Sequence, residues 1–287
     1  MAIRGRWYFG VLLAAAMIAG LPTVGGAADN EPDGGASSGP TPWWLEEPGF
    51  DARGGLGQIF LTDADPGDRV ILGKWVDTGA RRGLDLVDSS VVDELGSTMF
   101  RLLDPGTYVA ATGGTVDWRI EVGDPDDSTP DQSFYDDQEI NEGFTYITTR
   151  DGTTLSAYVV LPGPVEEGPY PTVVEYSGYN PSDPISGLGG LGGIDPTPLC
   201  GSFPTLCKAP AQPGSLLAGL FGYATVGVNV RGTGCSGGAY DFFETMQVLD
   251  GYDVIEAVAA QPWAQDHEVG MVGLSYPGIS QLFVAQS

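Results

Sequence analysis

The sequence predicts a small all-β domain followed by an α/β domain, and the patterning of apolar residues supports this division. From residue 46 to residue 124, short apolar runs are separated by turn sequences rich in Asp, Pro and Gly, with no helical pattern between them. Residues 125–141 combine Pro with a dense acidic run, which is typical of a linker. From residue 142 to residue 287, strand patterns alternate with helical ones, as in a parallel sheet covered by helices.

The first 28 residues have the organisation of a secretory signal peptide. Two arginines precede an apolar run at residues 7–21, and small residues follow up to Ala28. A signal anchor is the alternative, but the run is shorter than the roughly 20 residues that a spanning helix needs. We therefore expect cleavage after Ala28 and a secreted protein without a stable membrane anchor. Residues 29–45, rich in Gly, Pro and Ser, are predicted to be a flexible leader.

The charge balance excludes one class of partner. The 287 residues include 38 Asp and Glu but only 12 Lys and Arg, which gives a formal net charge of -26. Binding to nucleic acid depends on clustered Lys and Arg, so a nucleic-acid partner is not expected. The composition carries no signal for an oligomeric state.

The three cysteines fit an oxidising compartment. Cys200 and Cys207 are close enough in sequence to close a small loop, and we expect a disulfide between them. Cys235 is left over. With a single histidine in the sequence, a zinc site is not supported, and no metal is expected.

Six runs in the first domain have the pattern of short β-strands. The clearest is Val116–Val122, in which apolar residues alternate with Asp, Arg and Glu, as in a strand with one buried face. The other predicted strands cover residues 57–62, 69–76, 83–89, 98–103 and 106–112. Several short strands without helices predict a small β-sandwich.

The second domain is predicted to open with a hairpin that turns at residues 150–153. The elements expected after the hairpin are a buried strand at 172–178, a long loop at 179–214, a short helix at 215–222, a strand at 224–230, a helix at about 241–260, a strand at 269–275 and the start of a helix at 279–286. In the long helix, Val248, Tyr252, Ile255 and Ala259 recur at helical spacing and are expected to face the core.

The strongest functional signal is the sequence Gly273-Leu-Ser275-Tyr-Pro-Gly278. It lies between a predicted strand and a predicted helix, which is the context of a nucleophile elbow, where a serine takes a strained backbone conformation at a sharp turn. The following helix offers backbone N–H groups to a developing oxyanion. The usual G-x-S-x-G pattern would place its second glycine at Pro277, so the spacing here is one residue longer. A serine that caps an ordinary helix is the alternative interpretation.

Three stretches together resemble the α/β-hydrolase family that contains cocaine esterase and the X-prolyl dipeptidyl-peptidases. They are VGMVGLSYPGISQ around Ser275, VNVRGTGCSGG and EYSGYNPSD, and the resemblance covers residues 142–287. It implies that Ser275 is the nucleophile, that Tyr276 donates its backbone N–H to the oxyanion, and that the hydroxyl of Tyr179 is the other donor. Tyr179 as a loop-packing aromatic is the alternative, and Tyr176 is a nearby rival that strand alternation would point elsewhere.

The segment Asn229-Val-Arg231-Gly resembles the family's Asp-x-Arg-Gly, with Asn in place of Asp. That departure puts a charge pair between these two positions in doubt, and we interpret Arg231 as a structural brace for the loop.

A serine nucleophile needs a histidine base and a carboxylate that orients it. His267, the one histidine, is separated from Ser275 by a strand and is expected to be a surface turn residue. In α/β-hydrolases the Asp and the His follow the nucleophile on later strands. We therefore expect the chain, which ends at Ser287, to be an N-terminal fragment that lacks both triad partners and is inactive by itself.

No cofactor is expected. Residues 187–192 and 232–237 both match the dinucleotide pattern G-x-G-x-x-G. The first lies in a Pro-rich loop with no helix behind it, and the strand after the second offers no acidic residue for a ribose.

The sequence thus predicts a secreted serine hydrolase that cleaves ester or amide bonds through an acyl-enzyme on Ser275. The family resemblance implies small acyl esters or peptides, including X-Pro peptides, as substrates. The alternative is a non-catalytic secreted binding protein in which the all-β domain binds and the hydrolase segment is degenerate.

Overall fold

Two hydrophobic cores organise the part of the chain that the computed structural model describes. The described residues are 49–79, 82–113, 116–182 and 212–287. They all belong to one compact unit of the chain. The signal peptide, the flexible leader, the expected Cys200–Cys207 disulfide and the glycine-rich residues 187–192 lie outside the described residues.

The all-β domain consists of two antiparallel sheets that share one core. Its strands are β1 (Asp51–Gly54), β2 (Ile59–Thr62), β3 (Arg69–Asp77), β4 (Arg82–Val91), β5 (Thr98–Phe100), β6 (Gly106–Ala111) and β7 (Val116–Val122). One sheet has the order β1-β2-β5 and the other β4-β3-β6-β7. Ile59 and Phe100 of the first sheet lie in the same buried cluster as Val70, Leu72 and Ile120 of the second. This arrangement is the small β-sandwich that the strand pattern predicted.

The predicted acidic linker is folded against the second domain. It contains a short helix, α1 (Gln132–Asp136). The Tyr135 hydroxyl donates a 2.7 Å hydrogen bond to Asp253, and the buried Ile140 accepts one of 2.9 Å from the Trp263 indole. Apolar residues interspersed among the carboxylates therefore anchor this segment in the core of the second domain, and it does not act as a free spacer.

The second domain contains one five-stranded mixed sheet. Its strands are β8 (Gly143–Thr148), β9 (Thr154–Val160), β10 (Tyr170–Ser177), β11 (Ala224–Asn229) and β12 (Ala264–Met271). They lie in the order β12-β10-β11-β9-β8. The hairpin of β8 and β9 is antiparallel, whereas β10 pairs in parallel with β11 and β12. The carboxyl ends of β10, β11 and β12 therefore meet at one edge of the sheet, where ligands bind in open α/β sheets.

Three further helices cover this sheet. They are α2 (Pro213–Leu220), α3 (Thr245–Ala259) and α4 (Tyr276–Val284). Helix α2 contacts β10 and β11, α3 contacts β12 and α4, and α4 contacts β10. Within the described residues, no helix has the length and apolar content needed to cross a membrane.

Helix α3 differs from its prediction at its start and in its buried face. It begins at Thr245 rather than near residue 241, because Phe243 has a φ of 52°, which is incompatible with a right-handed helix. The residues expected to face the core are only partly buried. The buried positions of α3 are Met246, Gln247, Asp250, Gly251, Asp253, Val254, Ala257 and Val258. Polar residues with buried partners share this face, so apolar periodicity alone could not locate it.

Gly251 lets α3 and α4 approach closely. A Cβ atom at this position would overlap the side chain of Val284 in α4 and would lie 3.2 Å from the ring of Tyr176. The helix pair therefore packs at a distance that only glycine permits.

Arg231 is a structural brace, as interpreted from the sequence. Its guanidinium is fully buried, and its Nε and Nη2 donate to the two oxygens of Asp250 in α3, with Nε to Oδ2 at 2.6 Å. A third bond of 3.1 Å runs from Nη1 to Asp151 in the β8–β9 turn. Burial raises the pKa of Asp250, and Arg231 acts in the opposite direction. Arg231 thus ties the end of β11 to the hairpin and to α3.

We predict that Asp250→Asn lowers the free energy of unfolding by about 3–5 kcal/mol, because it breaks a buried ion pair from one side and leaves a buried guanidinium with one carboxylate. Urea unfolding followed by tryptophan fluorescence measures the change. Asp266→Asn, which alters an exposed carboxylate, is the matched control and is expected to stay within about 0.5 kcal/mol of the wild type. If the two variants were equally stable, the ion pair between Arg231 and Asp250 would make no measurable contribution to the free energy of unfolding.

Candidate active site

Ser275 lies at a sharp turn between β12 and α4. Its backbone has φ 67° and ψ -121°, which is a strained conformation for a residue with a side chain. The residue is exposed at the carboxyl end of β12, and α4 begins with the next residue. This is the backbone geometry that a nucleophile elbow requires.

The glycines of the motif are needed for close packing within the turn. A Cβ atom on Gly273 would lie 2.5 Å from Cβ of Pro277 and 2.6 Å from its carbonyl carbon. A Cβ atom on Gly278 would lie 3.1 Å from the Gly273 carbonyl oxygen. Pro277 is accommodated at the first turn of α4, where its missing N–H has no partner to lose. The one-residue difference from the usual spacing is therefore compatible with the turn.

Tyr179 lies beside Ser275. Its hydroxyl oxygen is 3.5 Å from Ser275 Oγ, and its ring is half exposed. The backbone N–H of Tyr179 donates to Ser177 Oγ at 3.0 Å, which fixes the start of the loop after β10. The rival Tyr176 is buried and donates its hydroxyl to the Gln247 carbonyl at 2.8 Å. Strand alternation thus turns Tyr176 away from Ser275, as expected.

Tyr276 provides a backbone hydrogen-bond donor next to Ser275. As the first residue of α4, it has no acceptor within the helix for its N–H, and the helix dipole favours negative charge there. Burial raises the pKa of its phenol. The helix N-terminus and the Tyr179 hydroxyl are two donors close to Ser275, and an oxyanion there would be stabilised by both.

An aromatic cluster that was not predicted borders Tyr276. Phe243 stacks on the Tyr276 ring with centroids 4.9 Å apart, and Phe283 stacks on Phe243 at 4.5 Å. The Phe242 ring is 5.7 Å from that of Tyr276 and is 62% exposed. We call residues 240–244, which carry both phenylalanines, the aromatic loop. The sequence predicts helix for most of this loop, and the adjacent Phe-Phe pair is equally compatible with a helix, so no pattern in the sequence separates the two.

On the other face of the sheet, a buried carboxylate holds the start of α2 beside the strand that leads to Ser275. Glu175 of β10 is fully buried, and one of its oxygens accepts from the Ser215 N–H at 2.9 Å and from the Ser215 hydroxyl at 2.7 Å. Burial raises the pKa of this carboxyl. A Cβ atom on Gly214 would lie 3.2 Å from the Gly273 amide nitrogen, so α2 starts directly against the turn.

Asn229, which stands where the family has Asp, does not need to pair with Arg231. Its Oδ1 accepts from the Ser182 hydroxyl at 2.6 Å, and its Nδ2 donates to Thr233 at 3.1 Å. Gly234 in the glycine-rich residues 232–237 has a packing role, because a Cβ atom there would lie 2.7 Å from Asn229 Nδ2.

His267 is a surface residue, as expected. It lies in an irregularity of β12 between Ala264 and Val269, with a φ of 56°, and its Nδ1 is 2.8 Å from the Ala259 carbonyl oxygen. This position is near the start of β12, whereas Ser275 follows its end. In the described part of the chain, Tyr179 is the hydrogen-bond partner found for Ser275 Oγ.

A comparison with protein families finds a match in the second domain. Residues 151–287 match the family model described as X-Pro dipeptidyl-peptidase (S15 family). No curated protein matches the chain.

Several solved structures resemble this one over part of the chain. A CocE/NonD family hydrolase from Staphylococcus aureus is 22% identical, with 57% of this chain and 31% of that chain covered and a TM-score of 0.37. An alpha-amino acid ester hydrolase is 21% identical, with coverages of 55% and 26% and a TM-score of 0.38. An aminopeptidase from a Thaumarchaeota archaeon is 19% identical, with coverages of 54% and 24% and a TM-score of 0.37. The chain spans about a third or less of the length of these three proteins.

The strand order, the strained serine between strand and helix and the family match agree with one another. The second domain has the α/β-hydrolase fold in part, with the all-β domain before it. Residues 151–287 of this chain match the model of the X-Pro dipeptidyl-peptidase (S15) family, in agreement with the resemblance found in the sequence motifs.

Proposed function

We propose that this chain carries the nucleophile of a secreted serine hydrolase that cleaves ester or amide bonds through an acyl-enzyme on Ser275. The single observation that carries the proposal is the exposed Ser275 in a strained strand-to-helix turn, with Tyr179 Oη 3.5 Å from its Oγ. An ordinary helix-capping serine has no reason to adopt such a backbone. The family match of residues 151–287 supports the same reaction type.

The proposed reaction begins when Ser275 Oγ attacks the carbonyl carbon of an ester or amide. The negative charge that develops on the carbonyl oxygen is stabilised by the Tyr276 N–H and the Tyr179 hydroxyl. The tetrahedral intermediate then collapses with loss of an alcohol or amine, and water releases the acyl group from Ser275 in a second round. X-Pro peptides and small acyl esters are the proposed substrates, because the matched family is named for X-Pro dipeptidyl-peptidase.

A general base must take the Ser275 proton, and His267 is held at the surface near the start of β12. We propose that the histidine and its carboxylate partner come from outside residues 1–287. The extracellular location is proposed from the leader sequence up to Ala28.

We predict that the protein expressed from its complete gene reacts covalently with a fluorophosphonate probe at Ser275, and that Ser275→Ala abolishes the labelling. Gel fluorescence and peptide mass mapping measure the modified residue. The exposed Ser89 of the all-β domain supplies the control, since Ser89→Ala is expected to label like the wild type. Equal labelling of the Ser275→Ala protein would refute the nucleophile and favour a non-catalytic binding protein.

We predict that Tyr179→Phe lowers kcat for a p-nitrophenyl ester by about 10²- to 10³-fold, because it removes one oxyanion donor, and that KM changes far less. Tyr146→Phe, a half-exposed tyrosine on β8, is expected to leave both constants unchanged. If Tyr179 is only a loop-packing aromatic, the two variants will behave alike.

We predict negligible ester hydrolysis by the 287-residue chain alone, because no histidine of this sequence lies in reach of Ser275. The rate of p-nitrophenyl acetate hydrolysis with and without the chain tests this. A rate above background that disappears in Ser275→Ala would mean that another group in the chain acts as the base.

A further inference from the structure

The aromatic loop, residues 240–244, is attached to the all-β domain as well as to its own domain. Arg101, just after β5, donates from Nη2 to the Tyr240 carbonyl oxygen at 2.9 Å. Its Nη1 pairs with Asp241 at 2.8 Å and lies 3.7 Å from Glu244. One arginine of the all-β domain therefore contacts both ends of the aromatic loop.

A second residue of the all-β domain strengthens this attachment. Gln58, which is buried, donates from Nε2 to Glu244 Oε2 at 3.0 Å. The Glu244 side chain is 9% exposed, so its contacts with Gln58 and Arg101 are formed largely away from solvent. Charge-assisted hydrogen bonds in such a setting fix geometry more strongly than exposed ones.

The attachment determines where the two phenylalanines lie. Phe243 has a left-handed φ of 52°, and its N–H donates to Gln247 Oε1 at 2.9 Å. In this conformation Phe243 stacks on Tyr276, while Phe242 remains exposed beside the same ring. A strained loop residue keeps its conformation only where surrounding contacts hold it.

Several exposed apolar side chains lie beside Ser275 or beside Tyr276, the residue that follows it. They are Tyr179, Tyr240, Phe242 and Leu274, with exposed fractions of 50%, 41%, 62% and 68%. Tyr179 and Phe242 both lie against the Tyr276 ring, at 5.8 and 5.7 Å between centroids. A cluster of exposed apolar groups next to a nucleophile is typical of a binding surface rather than of an ordinary surface.

We propose that the all-β domain shapes the substrate site: Arg101 positions the aromatic loop so that Phe242 contacts the acyl group of the substrate and favours acyl groups with a bulky apolar side chain. The proposal rests on the proposed function of Ser275. Phe242 is expected to select the acyl group rather than the leaving group of the substrate. The acyl group stays bonded to Ser275 in the acyl-enzyme, so it remains beside Tyr276 and its neighbours in both halves of the reaction. Phe242 is then a specificity-determining residue and Arg101 a positioning residue.

The charge distribution disfavours an anionic acyl group. The chain carries a formal net charge of -26, and Arg101, the cation contacting the aromatic loop, is already paired with Asp241 and Glu244. An anionic acyl group would be repelled at this site.

The test compares kcat/KM for p-nitrophenyl acetate and p-nitrophenyl hexanoate, using protein expressed from the complete gene and active-site concentrations titrated with a fluorophosphonate. The wild type is expected to prefer the hexanoate. Phe242→Ala and Arg101→Ala are each expected to lower the hexanoate-to-acetate ratio about tenfold, because the acyl chain loses its apolar contact. A merely destabilised protein would lose active sites without a change in this ratio.

Arg69→Ala is the matched control. Arg69 is an exposed arginine of the same domain that donates to Ser89 at 3.2 Å, and its removal is expected to leave the ratio unchanged. An unchanged ratio in either Phe242→Ala or Arg101→Ala would overturn the proposal, as would a wild type that prefers the acetate. Hydrolysis that persists in Ser275→Ala would instead refute the proposed nucleophile, so the two failures are distinguishable.

Discussion

The buried guanidinium of Arg231 is the interaction on which the second domain depends. A cation without solvent is tolerated only when carboxylates surround it, and these come from the hairpin turn, through Asp151, and from α3, through Asp250. The end of β11, the hairpin and α3 can therefore reach their native positions only together. The aromatic loop, residues 240–244, follows Arg231 after a short segment of chain. The ion cluster of Arg231, Asp151 and Asp250 therefore also fixes the position from which this side of the candidate active site is built.

The candidate site combines local and long-range constraints. The strained conformation of Ser275 is imposed within a few residues, by the close contact of Gly273 with Pro277 and by the start of α4. The surroundings of Ser275 come from distant segments: Tyr179 from the loop after β10 and the aromatic loop from the segment before α3. The reactive group is thus encoded locally, whereas its environment requires the assembled sheet and the contacts of Arg101.

Much of the fold could be predicted because strands and glycine turns leave short-range patterns. The strands of both domains, the β8–β9 hairpin and the turn at Ser275 are of this kind. Long-range polar contacts leave no such pattern. The buried face of α3 includes Asp250 and Asp253, whose partners lie on other elements, and apolar periodicity pointed to neighbouring positions that are only partly buried. Likewise, the Phe-Phe pair was consistent with helix until the left-handed φ of Phe243 and its stacking on Tyr276 were known.

Gly251 has a consequence for how this protein tolerates substitution. In an isolated helix, Gly→Ala is favourable by about 1 kcal/mol, so a rule based on helix propensity would recommend alanine at this position. Here the added methyl group would overlap Val284 and press on Tyr176, and α4 would have to move away from α3. Because α4 begins immediately after Ser275, that movement would be transmitted to the strained turn. A change that improves one helix in isolation would thus distort the reactive centre, and the tight pairing of α3 with α4 restricts evolution at a position remote from any substrate.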